Sequence, residues 1–189
     1  MKNTMHKILP RIAALAALGL SLPALAHPGH GGDGLATGFM AGFLHPLTGL
    51  DHLLALLAVG LWSRQQRHGA VLPPSFLVLM ALGASTGLGA ALPALETSVA
   101  ATVLLLGVLA AFALRVPPSV AVVAVSVCGL LHGLAHGKEL AGMESGAGFL
   151  LASAAIMAFG ALPNWGLRLR RVAGAVIGAA GLCLLAGVV

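Results

Sequence analysis

Apolar runs of close to 20 residues recur along the whole chain of 189 residues, and a helix needs about 20 apolar residues to cross a bilayer. Hydrophobic residues make up 59% of the sequence and charged residues only 8%, with a mean hydropathy of +1.01. Soluble domains carry about 25% charged residues. Because backbone groups in lipid must be hydrogen-bonded internally, the sequence predicts an all-α membrane protein embedded in the lipid bilayer.

Residues 1–26 have the pattern of a secretory signal peptide. Lys2, Lys7 and Arg11 precede a short apolar run, and Ala24-Leu25-Ala26 is a typical cleavage site. Cleavage would leave a polar N-terminal segment, residues 27–34, that contains two histidines and lies in the periplasm. The alternative is that residues 1–26 remain attached as an uncleaved first helix.

Six transmembrane helices are predicted within residues 35–189. The first is longer than a span requires, so we expect it to be tilted or broken near Pro46. The six-helix domain is a bundle in which glycine and alanine allow close helix packing. The predicted spans cover about 35–62, 71–91, 97–114, 118–136, 147–162 and 172–189.

The charges between these spans are distributed unevenly. The loops on one side hold six arginines, whereas the loops on the other hold Lys138 and three glutamates. Basic loops remain in the cytoplasm, so this bias predicts a multi-pass protein of the bacterial inner membrane with a periplasmic mature N-terminus. The basic residues form no patch with interleaved aromatics, and we therefore expect no nucleic-acid partner.

The first predicted span contains three ionisable residues, His45, Asp51 and His52. Such residues are costly in lipid and usually mark a functional site. On a continuous helix His45 and His52 would share one face, because they are seven residues apart. Asp51 would lie about 100° from His52, where it could complete a site or orient an imidazole.

A second polar cluster lies at the end of the fourth span. His132 and His136 are four residues apart and share a helix face, to which Glu139 returns if the helix continues. Both clusters are expected in the outer half of the membrane, where they could meet. Imidazole and carboxylate ligands suit Ni²⁺, Co²⁺ or Zn²⁺, although any one of these histidines taken alone could be a packing residue.

These motifs resemble those of a known family. His45-Pro46-Leu47-Thr48-Gly49-Leu50-Asp51-His52 is similar to the H-P-x-x-G-x-D-H signature of the HupE/UreJ family. The segment from His132 to Glu139 resembles its second motif, H-G-x-A-H-G-x-E. The resemblance implies a nickel or cobalt permease that serves hydrogenase or urease maturation proteins.

The sequence therefore predicts a secondary permease that imports Ni²⁺ or Co²⁺, with Zn²⁺ left open, and that is not an enzyme. His27 and His30 would collect the ion weakly before it reaches the two membrane clusters. Two alternatives use the same histidines: an intramembrane zinc hydrolase, and an accessory protein that delivers metal without transporting it. Similar starts at Leu44 and Leu131 suggest two inverted three-helix halves as a further hypothesis.

Overall fold

A computed structural model of the chain describes residues 38–86, 88, 92–136 and 142–187. The predicted signal peptide (1–26), the predicted periplasmic segment with His27 and His30, and Glu139 lie outside these residues. Within the described ranges all regular structure is helical. The helices are α1 Phe39–Thr48, α2 Leu50–Ser63, α3 Leu72–Thr86, α4 Leu95–Phe112, α5 Pro118–His136, α6 Met143–Gly160 and α7 Leu167–Leu185, with a 3-10 turn at Gly69–Val71.

The predicted first span is two helices. α1 and α2 meet at an angle of 83°, and the break is at Gly49, close to Pro46 as expected, with Pro46 itself in the last turn of α1. Pro46 has no N–H to donate to the preceding turn, which weakens α1 near its end. Gly49 then adopts an extended conformation (φ −85°, ψ 111°), and the carboxylate of Asp51 accepts the His52 N–H at 2.8 Å.

Four of the helical segments are long and apolar enough to cross a membrane, or five if the bent α1–α2 pair counts as one span. The described helices thus support a multi-pass membrane protein with four or five spans, and the six predicted spans are not confirmed. α7 does not meet the same criterion, because Arg168, Arg170 and Arg171 occupy its first five residues. The apolar part of α7 is therefore shorter than the helix itself.

Glycines bring the helices together in pairs. A Cβ added to Gly133 of α5 would lie 2.0 Å from the Met80 carbonyl oxygen of α3. One added to Gly107 of α4 would lie 2.3 Å from the backbone nitrogen of Gly178 in α7, and Gly148 of α6 abuts the backbone of α1 in the same way. Close contacts of this kind drive helix association in lipid, where no hydrophobic effect acts between helices.

α2 is the central helix of the bundle. Its side chains from Ala55 to Ser63 are almost all buried, and it contacts α4, α6 and α7. Trp62, near its end, is fully buried and donates its indole N–H to the Leu114 carbonyl at 2.9 Å. His52, near the start of the same helix, is thereby placed in the protein interior.

Charges segregate to opposite ends of the described bundle. All six described arginines follow the ends of α2 and α4 or begin α7. The described carboxylates instead lie in the first turns of α2, α4 and α6, at Asp51, Glu96 and Glu144. This segregation agrees with the uneven charge distribution that the sequence shows.

Candidate functional site

Four histidines from three helices form one cluster. His136 of α5 lies between His45 of α1 and His52 of α2 and is hydrogen-bonded to both. The His45 Nε2 and His136 Nδ1 atoms are 2.9 Å apart, and the His136 Nε2 and His52 Nδ1 atoms are 3.0 Å apart. The centroids of the His52 and His132 rings are 4.6 Å apart. The two polar clusters of the sequence therefore meet in the fold.

The cluster leads from a partly accessible region into the core. His45 and His136 are half-buried, whereas His52 and His132 are only 1% and 0% exposed. The break at Gly49 places His45 nearer the surface than His52. Along α5, His132 lies one helical turn deeper than His136. An ion that bound here could pass from the outer pair to the inner pair.

The two inner histidines each present a ring nitrogen with no partner. The Nε2 atoms of His52 and His132 are buried, and no described atom is within hydrogen-bond reach of either. The Nδ1–H of His132 donates to the Cys128 carbonyl at 2.9 Å, so the neutral ring carries its lone pair on Nε2. Buried polar atoms are normally satisfied, and those that are not call for an explanation such as an ion.

Asp51 supports the cluster from its edge. Its carboxylate oxygen lies 3.8 Å from the His52 Nδ1 atom and binds the His52 backbone more closely. The side chain is 37% exposed, and it sits in the first turn of α2, where a negative charge is favourable. Asp51 is thus placed to hold the N-terminus of α2 and the adjacent imidazole.

Two aromatic rings that line this site, Phe149 and Phe76, could not be identified from the sequence. The Phe149 ring of α6 is buried and lies 5.6–6.0 Å, centroid to centroid, from the rings of His45, His52 and His136. Phe76 of α3 packs against His132 at 5.6 Å. These rings cover the buried imidazoles of His52 and His132 with apolar surface. An apolar residue in an apolar span carries no local signal of such a role, and only the register of α6 against α2 reveals it.

The expected shared face of His45 and His52 is not observed. The bend at Gly49 separates the two residues onto different helices, and His136 joins them instead. His132 and His136 do share a face of α5, and both rings contact His52. Glu139, His27 and His30 lie outside the described residues.

Three of the four imidazoles are hydrogen-bonded to one another in this arrangement. Among the described side chains, no group of three or more His, Cys, Asp or Glu residues has the geometry to hold a metal ion. Each imidazole–imidazole hydrogen bond occupies the lone pair of one ring nitrogen. A metal ion that bound to that nitrogen would have to replace the hydrogen bond. The Nε2 lone pair of His132 needs no such exchange, and that of His52 needs none in the tautomer whose Nδ1–H donates to His136.

Comparisons with known proteins agree with the motifs. A sequence model of the family described as HupE / UreJ protein matches residues 15–186. The chain is similar to "Protein HupE" of Rhizobium leguminosarum bv. viciae, with 40% identity over 194 residues that cover 96% of this chain and 98% of the relative. No solved structure matches significantly. The family predicted from the motifs is confirmed: this chain belongs to the HupE/UreJ family.

Proposed function

We propose that this protein is a secondary permease that carries Ni²⁺ or Co²⁺ across the inner membrane for hydrogenase or urease maturation. The observation that carries the proposal is the pair of buried, unpartnered Nε2 atoms on His52 and His132. Imidazole nitrogen is a ligand that both ions accept. The matches to the HupE/UreJ family and to a protein named HupE support the same role.

The geometry suits a transient site better than a resident one. An ion would displace the hydrogen bonds that His136 makes to His45 and His52, and those bonds would re-form after it leaves. Conduction requires binding that is strong enough to select an ion and weak enough to release it. A hydrolytic zinc centre instead needs three protein ligands held in place around the ion, so the exchanging imidazoles favour transport over hydrolysis.

In the proposed topology the mature N-terminus is periplasmic and the bundle has six spans. The bent α1–α2 pair is the first span, and α7, with its arginines at the cytoplasmic surface, is the sixth. His27 and His30 would collect the ion, and Glu139 would join His136 and His45 at the outer end of the site. The inner pair, His52 and His132, would then receive it, with Asp51 beside His52.

The helix contacts also support two inverted halves. The first span packs on the fifth, the second on the fourth, and the third on the sixth. If the first, second and third spans are exchanged with the fourth, fifth and sixth, respectively, the same three pairs of packed spans result. Secondary transporters built from inverted repeats place their site where the repeats meet. The histidine cluster combines the first and fourth spans, which such a symmetry would relate.

Uptake by the purified full chain in liposomes tests the proposal. We expect radiolabelled nickel to accumulate in vesicles that contain the protein, and His45→Ala to reduce this uptake strongly. Ser85→Ala is a matched control, because Ser85 is exposed on α3 and bonds only to the Leu82 carbonyl of its own helix. Absence of nickel and cobalt uptake by the folded wild type would refute transport. Tight retention of zinc with turnover of an amide or lipid would identify a hydrolase.

A further inference from the structure

A cavity of about 290 Å³ lies at the arginine-rich end of the bundle, away from the histidine cluster. The loop after α2 forms one side of it and the linker between α4 and α5 forms the other. Its lining is mostly apolar, with surface from Leu72, Val116, Pro118 and Ala121, and its polar part comes from Gln66, Arg67, His68 and Arg115. Two arginines from separate segments, Arg67 and Arg115, therefore line one mostly apolar concave space.

Gln66 holds the two sides of this cavity together. Its side-chain amide donates to the Leu114 carbonyl at 2.7 Å and accepts the Val116 N–H at 3.3 Å. The Leu114 carbonyl also accepts the indole N–H of the buried Trp62. These bonds fix the linker against the end of α2. The backbone positions of Arg67 and Arg115 are therefore held relative to each other, although the two residues lie in separate segments.

Arg67 and Arg115 have no carboxylate partner among the described residues. Asp51, Glu96 and Glu144 lie in the first turns of helices that start at the other end. The guanidinium group binds phosphate oxygens through paired N–H donors, and weak hydration makes it suited to this task. Basic residues next to apolar surface suit a phospholipid at the membrane interface, whose phosphate is negatively charged and whose remainder is apolar.

We propose that this cavity is a binding site for a phosphoryl group, which Arg67 and Arg115 hold from opposite sides. An anionic phospholipid headgroup or soluble phosphate could supply that group. The site shares no residue with the histidine cluster, so its ligand binding can be measured apart from metal transport. Its role would be to clamp the loop after α2 to the linker before α5, and so to brace the central helix.

Native mass spectrometry and thermal unfolding of the full chain test this proposal. The protein is placed in phosphatidylcholine nanodiscs with or without phosphatidylglycerol, and inorganic phosphate is titrated in a separate arm. The doubly substituted variant Arg67→Gln/Arg115→Gln should bind the effective ligand about tenfold more weakly than wild type. Arg64→Gln/Arg168→Gln removes the same charge at the same end, outside the cavity, and should bind like wild type.

Stabilisation by phosphatidylglycerol but not by phosphate would identify a lipid, and the reverse would identify a soluble anion. Equal binding by wild type and Arg67→Gln/Arg115→Gln would overturn the proposal, as would an equal loss in both double variants, which indicates a general charge effect. If the first double variant does not fold, the single variants Arg67→Gln and Arg115→Gln replace it, and each must weaken binding. Circular dichroism verifies the helical fold of every variant.

Discussion

His52 and His132 contact each other edge to face in the protein interior, with ring centroids 4.6 Å apart and with a buried, unpartnered Nε2 atom on each ring. They come from different helices and are 80 residues apart in the sequence. Each ring is oriented by its other nitrogen, through His136 in one case and the Cys128 carbonyl in the other. Such outer contacts normally set the tautomer and direction of a metal-binding imidazole.

The first prediction concerns this inner pair. His52→Ala and His132→Ala should each weaken nickel binding at least about tenfold, since even residues that only support a metal ligand cost that much when lost. The double variant should bind little more weakly than the worse single variant, because both residues act on one ion. Calorimetric titration of the purified protein measures this. Additive losses in the double variant would mean that the two imidazoles bind separate ions.

The second prediction separates the charge of Asp51 from its structural hydrogen bond. Asp51→Asn keeps an oxygen that can accept the His52 N–H, whereas Asp51→Ala removes it. If the charge helps to hold the cation, Asp51→Asn should fold normally and lose much of its nickel uptake. Asp51→Ala should lose uptake and also thermal stability, by about 0.5–1.5 kcal/mol for the lost hydrogen bond. Uptake by Asp51→Asn at the wild-type rate would restrict Asp51 to a structural role.

The third prediction tests whether the fit of α1 against α6 sets the position of His45. A Cβ at Gly148 would lie 2.1 Å from the Phe39 carbonyl oxygen, so Gly148→Ala must push α1 away and separate His45 from His136. We expect lower nickel uptake and a destabilisation of about 1–3 kcal/mol. Gly146→Ala is the control, since no neighbouring atom lies within 4 Å of its added Cβ. Equal behaviour of the two variants would contradict the packing described here.

The fourth prediction concerns the α4–α7 contact. Gly174 and Gly178 form a small-xxx-small pattern, yet the structure distinguishes them. An added Cβ would lie 2.4 Å from the Ala111 nitrogen at Gly174, but at an ordinary 3.5 Å from the Val108 nitrogen at Gly178. Gly174→Ala should therefore destabilise the protein by about 1–3 kcal/mol. Gly178→Ala should unfold at the wild-type temperature or slightly above it. A thermal scan in detergent that ranks the two in the opposite order would refute this helix register.

Much of the site could be predicted from the chain because polar residues are conspicuous in apolar helices. His45, Asp51, His52, His132 and His136 stand out for that reason, and the structure brings the four histidines together. Phe149 could not be identified in this way, because an aromatic residue in an apolar span has the expected polarity. Its role depends on which face α6 turns towards α2.

By itself, the sequence determined that the chain is helical and membrane-embedded, that its arginines collect at one end, and that it belongs to the HupE/UreJ family. These properties depend on composition and on local order, which are written along the chain. Tertiary structure alone decided the break at Gly49, the position of His136 between His45 and His52, and the unpartnered nitrogens of the inner pair. Those features arise from the angle and register of packed helices, which depend on glycine contacts between residues far apart in the sequence.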